Sequence, residues 1–238
     1  MSVRSIPQKR CRPAKALSPN GGEGVTGAAS EKGKVMKLQA GQVAVVTGAA
    51  NGIGRALATE IVARGLRVVV ADIESEPLTA LAADLGAAAL AVPTDVADPD
   101  QVRALAERTL AAFGRVDLVV NNAGVSEGGP SWALESAQWR RVWSVNVEGV
   151  VHGIAAFVPH LIAAGSGHVV NLSSVAGLDT AAPLGAPYSA SKHAVLAISE
   201  GLRTELELLA PGVRVTTVCP GPVDTRMMRG LQIGRAHV

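Results

Sequence analysis

Tyr188 and Lys192 stand four residues apart in the stretch APYSASKHA, and Tyr188 is the only tyrosine of the chain. If this stretch is helical, the phenol and the ammonium lie on one face as neighbours. An isolated tyrosine has a pKa of about 10, and a nearby cation favours its ionised form and lowers that pKa. The pair could therefore pass a proton, although the same spacing also arises by chance in helices where tyrosine packs and lysine is solvated.

A glycine-rich stretch, TGAANGIG, begins at Thr47, directly after an apolar run. Gly48, Gly52 and Gly54 allow a tight turn and a close backbone approach, so that amide groups and a helix N-terminus can face a pyrophosphate. Such a loop alone could be a structural turn only. Its position between a predicted strand and a predicted helix favours binding of a dinucleotide cofactor.

The choice of cofactor is predicted from two residues near this loop. Asp72 ends the second predicted strand, where a carboxylate can accept hydrogen bonds from the adenosine ribose and would repel a 2′-phosphate. Asn51 offers no positive charge to such a phosphate. The two residues favour NAD over NADP, with the alternative that Asp72 only caps the next helix.

The chain alternates β-branched runs with stretches of helical period, which predicts a parallel sheet. The predicted strands are QVAVVT, RVVVAD, AALAVPT, VDLVVN, HVVNLS and VRVTTVC, and the predicted helices lie near 52–64, 76–85, 99–113, 133–164 and 188–209. Right-handed crossovers then produce an α/β fold with a doubly wound, Rossmann-type sheet in a single domain. Ligands of such sheets bind beyond the carboxyl ends of the strands, where the motifs fall.

Composition excludes several classes of protein. With 238 residues, 48% of them hydrophobic, and a net charge of +2, the chain suits one globular domain without a nucleic-acid partner. Two cysteines predict neither a disulfide framework nor a metal site. The absence of a long uncharged apolar run and of a secretory signal predicts a cytoplasmic protein with no membrane partner.

TGAANGIG, NNAG at 121–124 and YSASK at 188–192 together resemble the short-chain dehydrogenase/reductase family. The resemblance extends from about Gln42 to Met227 and includes TDV, SVNVEG, NLSSVAG and PGPVDT in the same order. It implies an NAD(P)-dependent oxidoreductase that transfers a hydride between NAD(H) and a secondary alcohol or ketone. The alternatives are a Rossmann-type sensor that binds NAD without turnover, an inactive truncated fragment, and a nucleotide-sugar epimerase, whose glycine spacing usually differs.

The resemblance implies roles for four catalytic residues. Tyr188 is the general acid/base, and Lys192 holds the nicotinamide ribose and, with the positive nicotinamide ring, lowers the pKa of the phenol. Ser174 hydrogen-bonds the reacting oxygen, whereas Ser173 points to the other side of its strand. Asn146 interrupts the long fourth helix and anchors a water that relays protons to Lys192. The spacing from Ser174 to Tyr188 is one residue longer than in many members, which the loop LDTAAPLGAP can take up.

The resemblance also implies a set of cofactor contacts. Asp95 and Val96 are expected at the adenine, and Thr225 at the nicotinamide amide. The full set is Gly48, Asn51, Gly52, Ile53, Gly54, Asp72, Asp95, Val96, Asn122, Ala123, Gly124, Tyr188, Lys192, Pro220, Gly221, Val223 and Thr225. The alternatives are ordinary, since Asp95 could be a helix cap and Asn122 a turn residue.

Three further expectations concern the ends of the chain, the substrate and the assembly. We expect residues 1–35 to be a disordered basic extension, 36–232 to be a dehydrogenase domain truncated before its last strand, and 233–238 to be a non-native tail. The apolar loop GLDTAAPLGAP hints at an apolar small-molecule substrate. We expect a homodimer or homotetramer when the protein is full length, and we interpret Trp132, Trp139 and Trp143 as packing residues.

Overall fold

A computed structural model describes residues 38–179 and 183–225. Its six strands are β1 (Val43–Thr47), β2 (Arg67–Asp72), β3 (Ala89–Pro93), β4 (Leu118–Asn121), β5 (Gly167–Leu172) and β6 (Val213–Val218). All neighbouring strands pair in parallel, in the order β3-β2-β1-β4-β5-β6. The predicted doubly wound parallel sheet is therefore confirmed.

Helices connect the strands at nearly the predicted positions. They are α1 (Gly52–Ala63), α2 (Ser75–Leu85), α3 (Pro99–Phe113), α4 (Ser136–Trp143), α5 (Gly149–Ala163) and α6 (Ala186–Leu209). The helix predicted over 133–164 is two helices, because a π-helical turn, Ser144–Glu148, separates α4 from α5. It also begins later than predicted, since Glu135 and Gln138 form a capping box that starts α4 at Ser136.

The core lies on both faces of the sheet. On one face Val45 and Val69 pack in a cluster with Leu105 of α3, Phe157 of α5 and Leu202 of α6. On the other face alternate residues of the same strands pack with apolar residues of α1 and α2. All five residues of β1 are buried, because helices cover the strand on both sides.

Asp117 ties β1 to β4 at the amino ends of the strands. Its side chain is buried, and Oδ2 accepts hydrogen bonds from Val43 N (2.9 Å) and from Arg115 Nε (2.9 Å). The carboxylate thus satisfies the first amide of β1, which a loop end would otherwise leave without a partner. The adjacent carboxylate raises the pKa of Arg115 through its hydrogen bond and its charge, so the guanidinium stays charged.

The segment Ser136–Ala163, which contains α4 and α5, is long and apolar enough by length and composition to cross a membrane. Phe157, Val158 and Leu161 on this segment are nevertheless buried in the cluster that contains Val102 and Leu105 of α3. Such packing against the sheet is that of a core helix.

Several expectations fall on residues outside the described ranges. These are the disordered extension over 1–35, the non-native tail over 233–238 and the truncation of the domain before its last strand. They stay predictions.

Candidate functional site

The glycine loop after β1 has no room for a side chain at Gly48 or Gly54. Gly48 (φ +64°) and Gly52 (φ +54°) have left-handed backbone conformations that favour glycine. A Cβ on Gly48 would lie 2.7 Å from Ala123 Cα, and a Cβ on Gly54 would overlap the Gly48 carbonyl oxygen. The loop therefore presents bare backbone at the start of α1, as close approach of a pyrophosphate requires.

Asn122 shapes this loop from the end of β4. Its Nδ2 donates to Thr47 O (2.8 Å) and to Gly48 O (3.0 Å). The backbone amides of Asn122 and Ala123 both donate to Thr47 Oγ1, at 3.0 and 3.1 Å. The Asn122 side-chain amide group thus donates its hydrogen bonds to the loop. The hydroxyl of Thr47 also contributes to the site, and the sequence did not predict this contribution.

Two carboxylates lie beside the loop at the end of β2. Asp72 accepts hydrogen bonds from Ala50 N (2.9 Å) and from Glu74 N (3.0 Å). Asn51 Nδ2 donates to Glu74 Oε2 at 3.2 Å. The alternative that Asp72 caps α2 is wrong, because Glu74 occupies the N-cap position. Instead, Asp72 fixes the glycine loop and brings negative charge to it.

The β3–α3 loop contains the two residues expected at the adenine. Asp95 Oδ1 accepts from Ala97 N at 2.9 Å, so the carboxylate shapes its own turn. The alternative that Asp95 caps the helix is wrong, because Asp98 is the N-cap of α3. Val96 is buried, and its carbonyl oxygen lies 2.8 Å from His152 Nδ1 of α5.

Tyr188 and Lys192 lie in the first turns of α6, beyond the carboxyl end of β5. Lys192 Nζ lies 5.6 Å from the centroid of the Tyr188 ring and donates to Leu172 O at 2.8 Å. Gly124 fits beside this ammonium, since a Cβ there would lie 3.6 Å from Lys192 Nζ and 3.3 Å from Asn146 Oδ1. The structure thus brings the phenol, the ammonium and the asparagine to one place.

The two serines after β5 face different surroundings. Ser173 is buried and donates to Lys192 O at 2.8 Å, which is a structural contact. Ser174 Oγ accepts from Ala176 N at 3.1 Å and is also the hydrogen-bonding neighbour of the Tyr188 phenol. Ser174 is thus the serine beside the phenol, and its role toward the reacting oxygen stays a prediction.

Asn146 occupies the middle of the π-helical turn between α4 and α5, where an interruption was expected. Its Oδ1 accepts from Val125 N (2.8 Å), and its Nδ2 donates to Val125 O (2.9 Å) and to Ser191 Oγ (2.9 Å). A π-helical turn widens the helix and often occurs at functional sites. The turn here aims a fully buried amide at the loop that follows β4.

Burial controls the ionisation of the pair. It raises the pKa of Tyr188 above its usual value of 10.0, while the Ser174 side chain acts in the opposite direction. In the protein alone the direction is therefore upward, and the lowering expected from Lys192 together with the nicotinamide ring stays a prediction. Burial also lowers the pKa of Lys192 from 10.5 to about 8, so the ammonium is charged at neutral pH.

The PGPVDT segment after β6 lies against both parts of the site. Pro220 O accepts from Val175 N at 3.0 Å, beside Ser174. Thr225 lies against the glycine loop, since a Cβ on Gly52 would lie 3.1 Å from Thr225 Cγ2. Gly221 and Val223 are exposed, and Ile53 packs partly against the core under the loop.

The tryptophan interpretation was only partly right. Trp132 is 90% exposed and Trp143 is 42% exposed, so neither is a core packing residue. Trp139 is half-buried. Trp132 follows Pro130 in the β4–α4 loop, where a turn rather than a helix places its side chain at the surface.

Comparison with known proteins identifies the family of this chain. The family model described as short chain dehydrogenase matches residues 42–235. The chain belongs to the short-chain dehydrogenase/reductase family. Members of this family are oxidoreductases, and this chain is accordingly a hydride-transfer oxidoreductase that acts on a small molecule and binds a nicotinamide cofactor. The alternative of a non-catalytic sensor is not favoured.

Individual members of the family are similar over most of the chain. A 1-deoxy-11-beta-hydroxypentalenate dehydrogenase from Streptomyces exfoliatus is 41% identical over 206 residues, which cover 84% of this chain and 74% of the relative. A short-chain dehydrogenase/reductase from Burkholderia phymatum, solved with NAD, is 39% identical with a TM-score of 0.78 over 82% of this chain and 70% of that one. A Brucella melitensis 3-ketoacyl-(acyl-carrier-protein) reductase with NADH is 31% identical with a TM-score of 0.76, over 80% and 79%.

Proposed function

We propose that this protein interconverts a secondary alcohol and a ketone with NAD(H), and that Tyr188 carries the proton. The observation that carries the proposal is the position of the Tyr188 phenol, next to Ser174 and 5.6 Å from Lys192 Nζ. The three side chains lie at the same edge of the sheet as the glycine loop, where ligands of this fold bind. Proton donor, hydrogen-bonding hydroxyl and cation are the groups that an alcohol–ketone interconversion requires.

Each residue has one task in this proposal. Bound NAD supplies the hydride acceptor at its nicotinamide ring. Tyr188 takes the hydroxyl proton of the alcohol as the C–H bond yields its hydride, and returns a proton to the ketone oxygen in the reverse direction. Ser174 hydrogen-bonds the same oxygen, and the Lys192 cation opposes the cost of forming a buried phenolate. Asn146 holds the loop that borders the ammonium.

Tyr188→Phe tests the proposal directly, because it removes the proton carrier and keeps the ring. We expect kcat to fall by about two to four orders of magnitude. The dissociation constant for NAD, measured by fluorescence titration, should change little. Ser189→Ala, on the same helix, is the control and should retain wild-type kcat. A Tyr188→Phe enzyme with more than about a tenth of wild-type kcat contradicts the assignment.

We propose NAD rather than NADP on the charges beside the glycine loop. Asp72 and Glu74 place carboxylates there, and the neighbouring Arg55 is paired with Asp84 at 2.9 Å. A ribose 2′-phosphate would meet negative charge. Fluorescence titration with each cofactor should give a lower dissociation constant for NAD than for NADP. Asp72→Ala should reduce the difference between the two dissociation constants. Glu200→Ala, at an exposed ion pair of α6, should leave the difference in affinity unchanged, and tighter binding of NADP by the wild type contradicts the proposal.

We propose an uncharged, apolar substrate from the residues that flank the catalytic side chains. Val175 and Leu178, after Ser174, are 44% and 65% exposed, and Leu184, before Tyr188, is 45% exposed. Gly129 N donates to Leu184 O at 2.8 Å, which joins the β4–α4 loop to the loop before α6. Exposed apolar side chains gathered around a polar catalytic group are typical of a binding site.

Charge near these residues supports the same substrate class. Glu127, in the β4–α4 loop, is paired with Arg141 at 2.5 Å, so that cation is not available to an anionic substrate. A panel of cyclohexanol, menthol and 2-octanol, with lactate and 3-hydroxybutyrate as charged controls, tests the proposal. We expect turnover of the first three; faster turnover of the carboxylates contradicts it.

We further infer a cytoplasmic homodimer or homotetramer. Val151 and Ile162, each 44% exposed, lie eleven positions apart on α5 and therefore near one face of the helix. Light scattering after size-exclusion chromatography should show a dimer or tetramer that Val151→Asp weakens. A wild-type monomer contradicts the inference, and fractionation of the native cells tests the compartment.

A further inference from the structure

A buried chain of hydrogen bonds joins the π-helical turn to the first turn of α6. Asn146 Nδ2 donates to Ser191 Oγ at 2.9 Å, and Ser191 Oγ donates to Tyr188 O at 2.7 Å. Asn146 and Ser191 both have no exposed surface. The chain therefore ends on the backbone of the residue that carries the proton in the proposed function.

Ser191 accepts the last free donor of the asparagine. A primary amide has two N–H groups, and the other one donates to Val125 O at 2.9 Å while Oδ1 accepts from Val125 N at 2.8 Å. Removal of the Ser191 hydroxyl would leave a buried N–H without a partner, which costs free energy because water does not reach it. Asn146 would then have to shift.

A shift of Asn146 would disturb the surroundings of the ammonium. Gly124 packs between the two groups, since a Cβ there would lie 3.3 Å from Asn146 Oδ1 and 3.6 Å from Lys192 Nζ. Tyr188 would lose the second hydrogen bond to its carbonyl oxygen, which as a helical carbonyl also accepts from the amide of residue 192. Both members of the pair thus depend on the same hydroxyl.

We propose that Ser191 is a positioning residue, which fixes the turn of α6 that carries Tyr188 and Lys192 against Asn146. Ser191 acts through Asn146 and through the Tyr188 backbone. The inference rests on the proposed function of Tyr188 and adds to it a residue between the tyrosine and the lysine of YSASK.

Two other serines of α6 provide matched controls. Ser199 accepts from Asn171 Nδ2 at 2.9 Å and donates to Val195 O at 2.6 Å, so it repeats the bonding of Ser191 about two turns further along the helix. It is equally buried, and its partners lie in the core. Ser189 is buried as well, but its hydroxyl has no hydrogen-bond partner within the described part of the chain.

The experiment compares Ser191→Ala, Ser199→Ala and Ser189→Ala in the full chain. With the alcohol of the panel above that the wild type oxidises fastest, we expect Ser191→Ala to lower kcat by about tenfold or more. KM and the dissociation constant for NAD should stay near the wild-type values. Ser199→Ala should lose as much thermal stability as Ser191→Ala, but its kcat should stay at the wild-type value. Ser189→Ala should change neither the thermal stability nor kcat.

A spectroscopic measurement reports on the same site without turnover. Tyr188 is the only tyrosine, so protein labelled with [13Cζ]tyrosine has a single resonance. We expect this resonance to move in Ser191→Ala and to stay in Ser199→Ala. Ser191→Cys keeps nearly the same shape with a weaker hydrogen-bonding group, so it should follow Ser191→Ala and serves if the alanine variant does not fold.

An unchanged kcat and an unmoved resonance in the Ser191 variants would overturn the inference, as would an equal loss of kcat in Ser199→Ala. Tyr188→Phe separates this failure from a failure of the proposed function. If Tyr188→Phe is inactive and the Ser191 variants are normal, only the role of Ser191 is wrong. If Tyr188→Phe is active, the proposed function fails and the positioning role fails with it.

Discussion

Replacing Lys192 by methionine should change how the stability of the protein depends on pH. Lys192 is 4% exposed, and burial lowers its pKa from 10.5 to about 8 in the folded protein. In the unfolded chain the side chain is solvated and keeps its ordinary pKa. Between these two pH values the unfolded state therefore binds more protons than the folded state, and the free energy of unfolding rises with pH.

The size of the effect follows from the two pKa values. Below pH 8 the folded protein holds a charged, buried ammonium and bears the full cost of its desolvation, whereas above pH 10.5 both states are neutral and the cost is absent. At about 1.4 kcal/mol per pKa unit, the wild type should gain on the order of 3 kcal/mol across this window. Lys192→Met has no titrating group at this position and should lack the gain.

Urea denaturation between pH 7 and pH 10, followed by tryptophan fluorescence, measures the difference between the two proteins at each pH. Other groups that titrate in this range cancel in the difference. Arg203→Met, which removes an exposed cation from the same helix, is the control and should run parallel to the wild type. The reasoning is refuted if the stability difference between wild type and Lys192→Met is the same at both ends of the range.

Three further outcomes are expected. In the protein without cofactor, Tyr188 should titrate above pH 10, because burial outweighs the hydrogen bond from its serine neighbour; a lower value in a 13C titration contradicts this. Gly54→Ala should abolish NAD binding in a fluorescence titration, because the new Cβ overlaps loop backbone, whereas Gly201→Ala, with open space and a helical conformation, should bind normally. Asp117→Ala should cost about 2 kcal/mol in urea denaturation by leaving the first amide of β1 unpaired, and Asp100→Ala, at an exposed ion pair, should cost less than about 1 kcal/mol; equal losses refute the reasoning.

The arrangement of the sheet was predictable because its signals are local. β-Branched runs followed by helical periodicity specify strand and helix over a few residues, and parallel order follows from their alternation. The predicted helix over 99–113 has the observed bounds of α3, where Asp98 caps the start and Gly114 ends the helix in a left-handed conformation. The glycine loop was recognisable for the same reason, since only glycine fits its backbone at Gly48 and Gly52.

The composition of the site was partly predictable. The order of the motifs along the chain, together with the rule that parallel strands end at one edge, places Gly124, Asn146, Ser174 and Tyr188 in one region before any distance is known. The supporting residues were not visible in this way. Thr47 Oγ1 accepts hydrogen bonds from two backbone amides at the end of β4. In the sequence, however, Thr47 is only the last residue of a predicted strand.

By itself the sequence determined the fold and the family and predicted a set of reacting side chains, because each depends on residue types at short spacing. Only the tertiary structure decided what those side chains experience. The pKa of Tyr188 rises because desolvation by distant parts of the chain outweighs the opposing hydrogen bond to Ser174. Asn146 and Ser191 are 45 positions apart in the chain, yet their side chains form a hydrogen bond. The packing of α6 against the π-helical turn brings the two side chains together. No local sequence pattern encodes that packing.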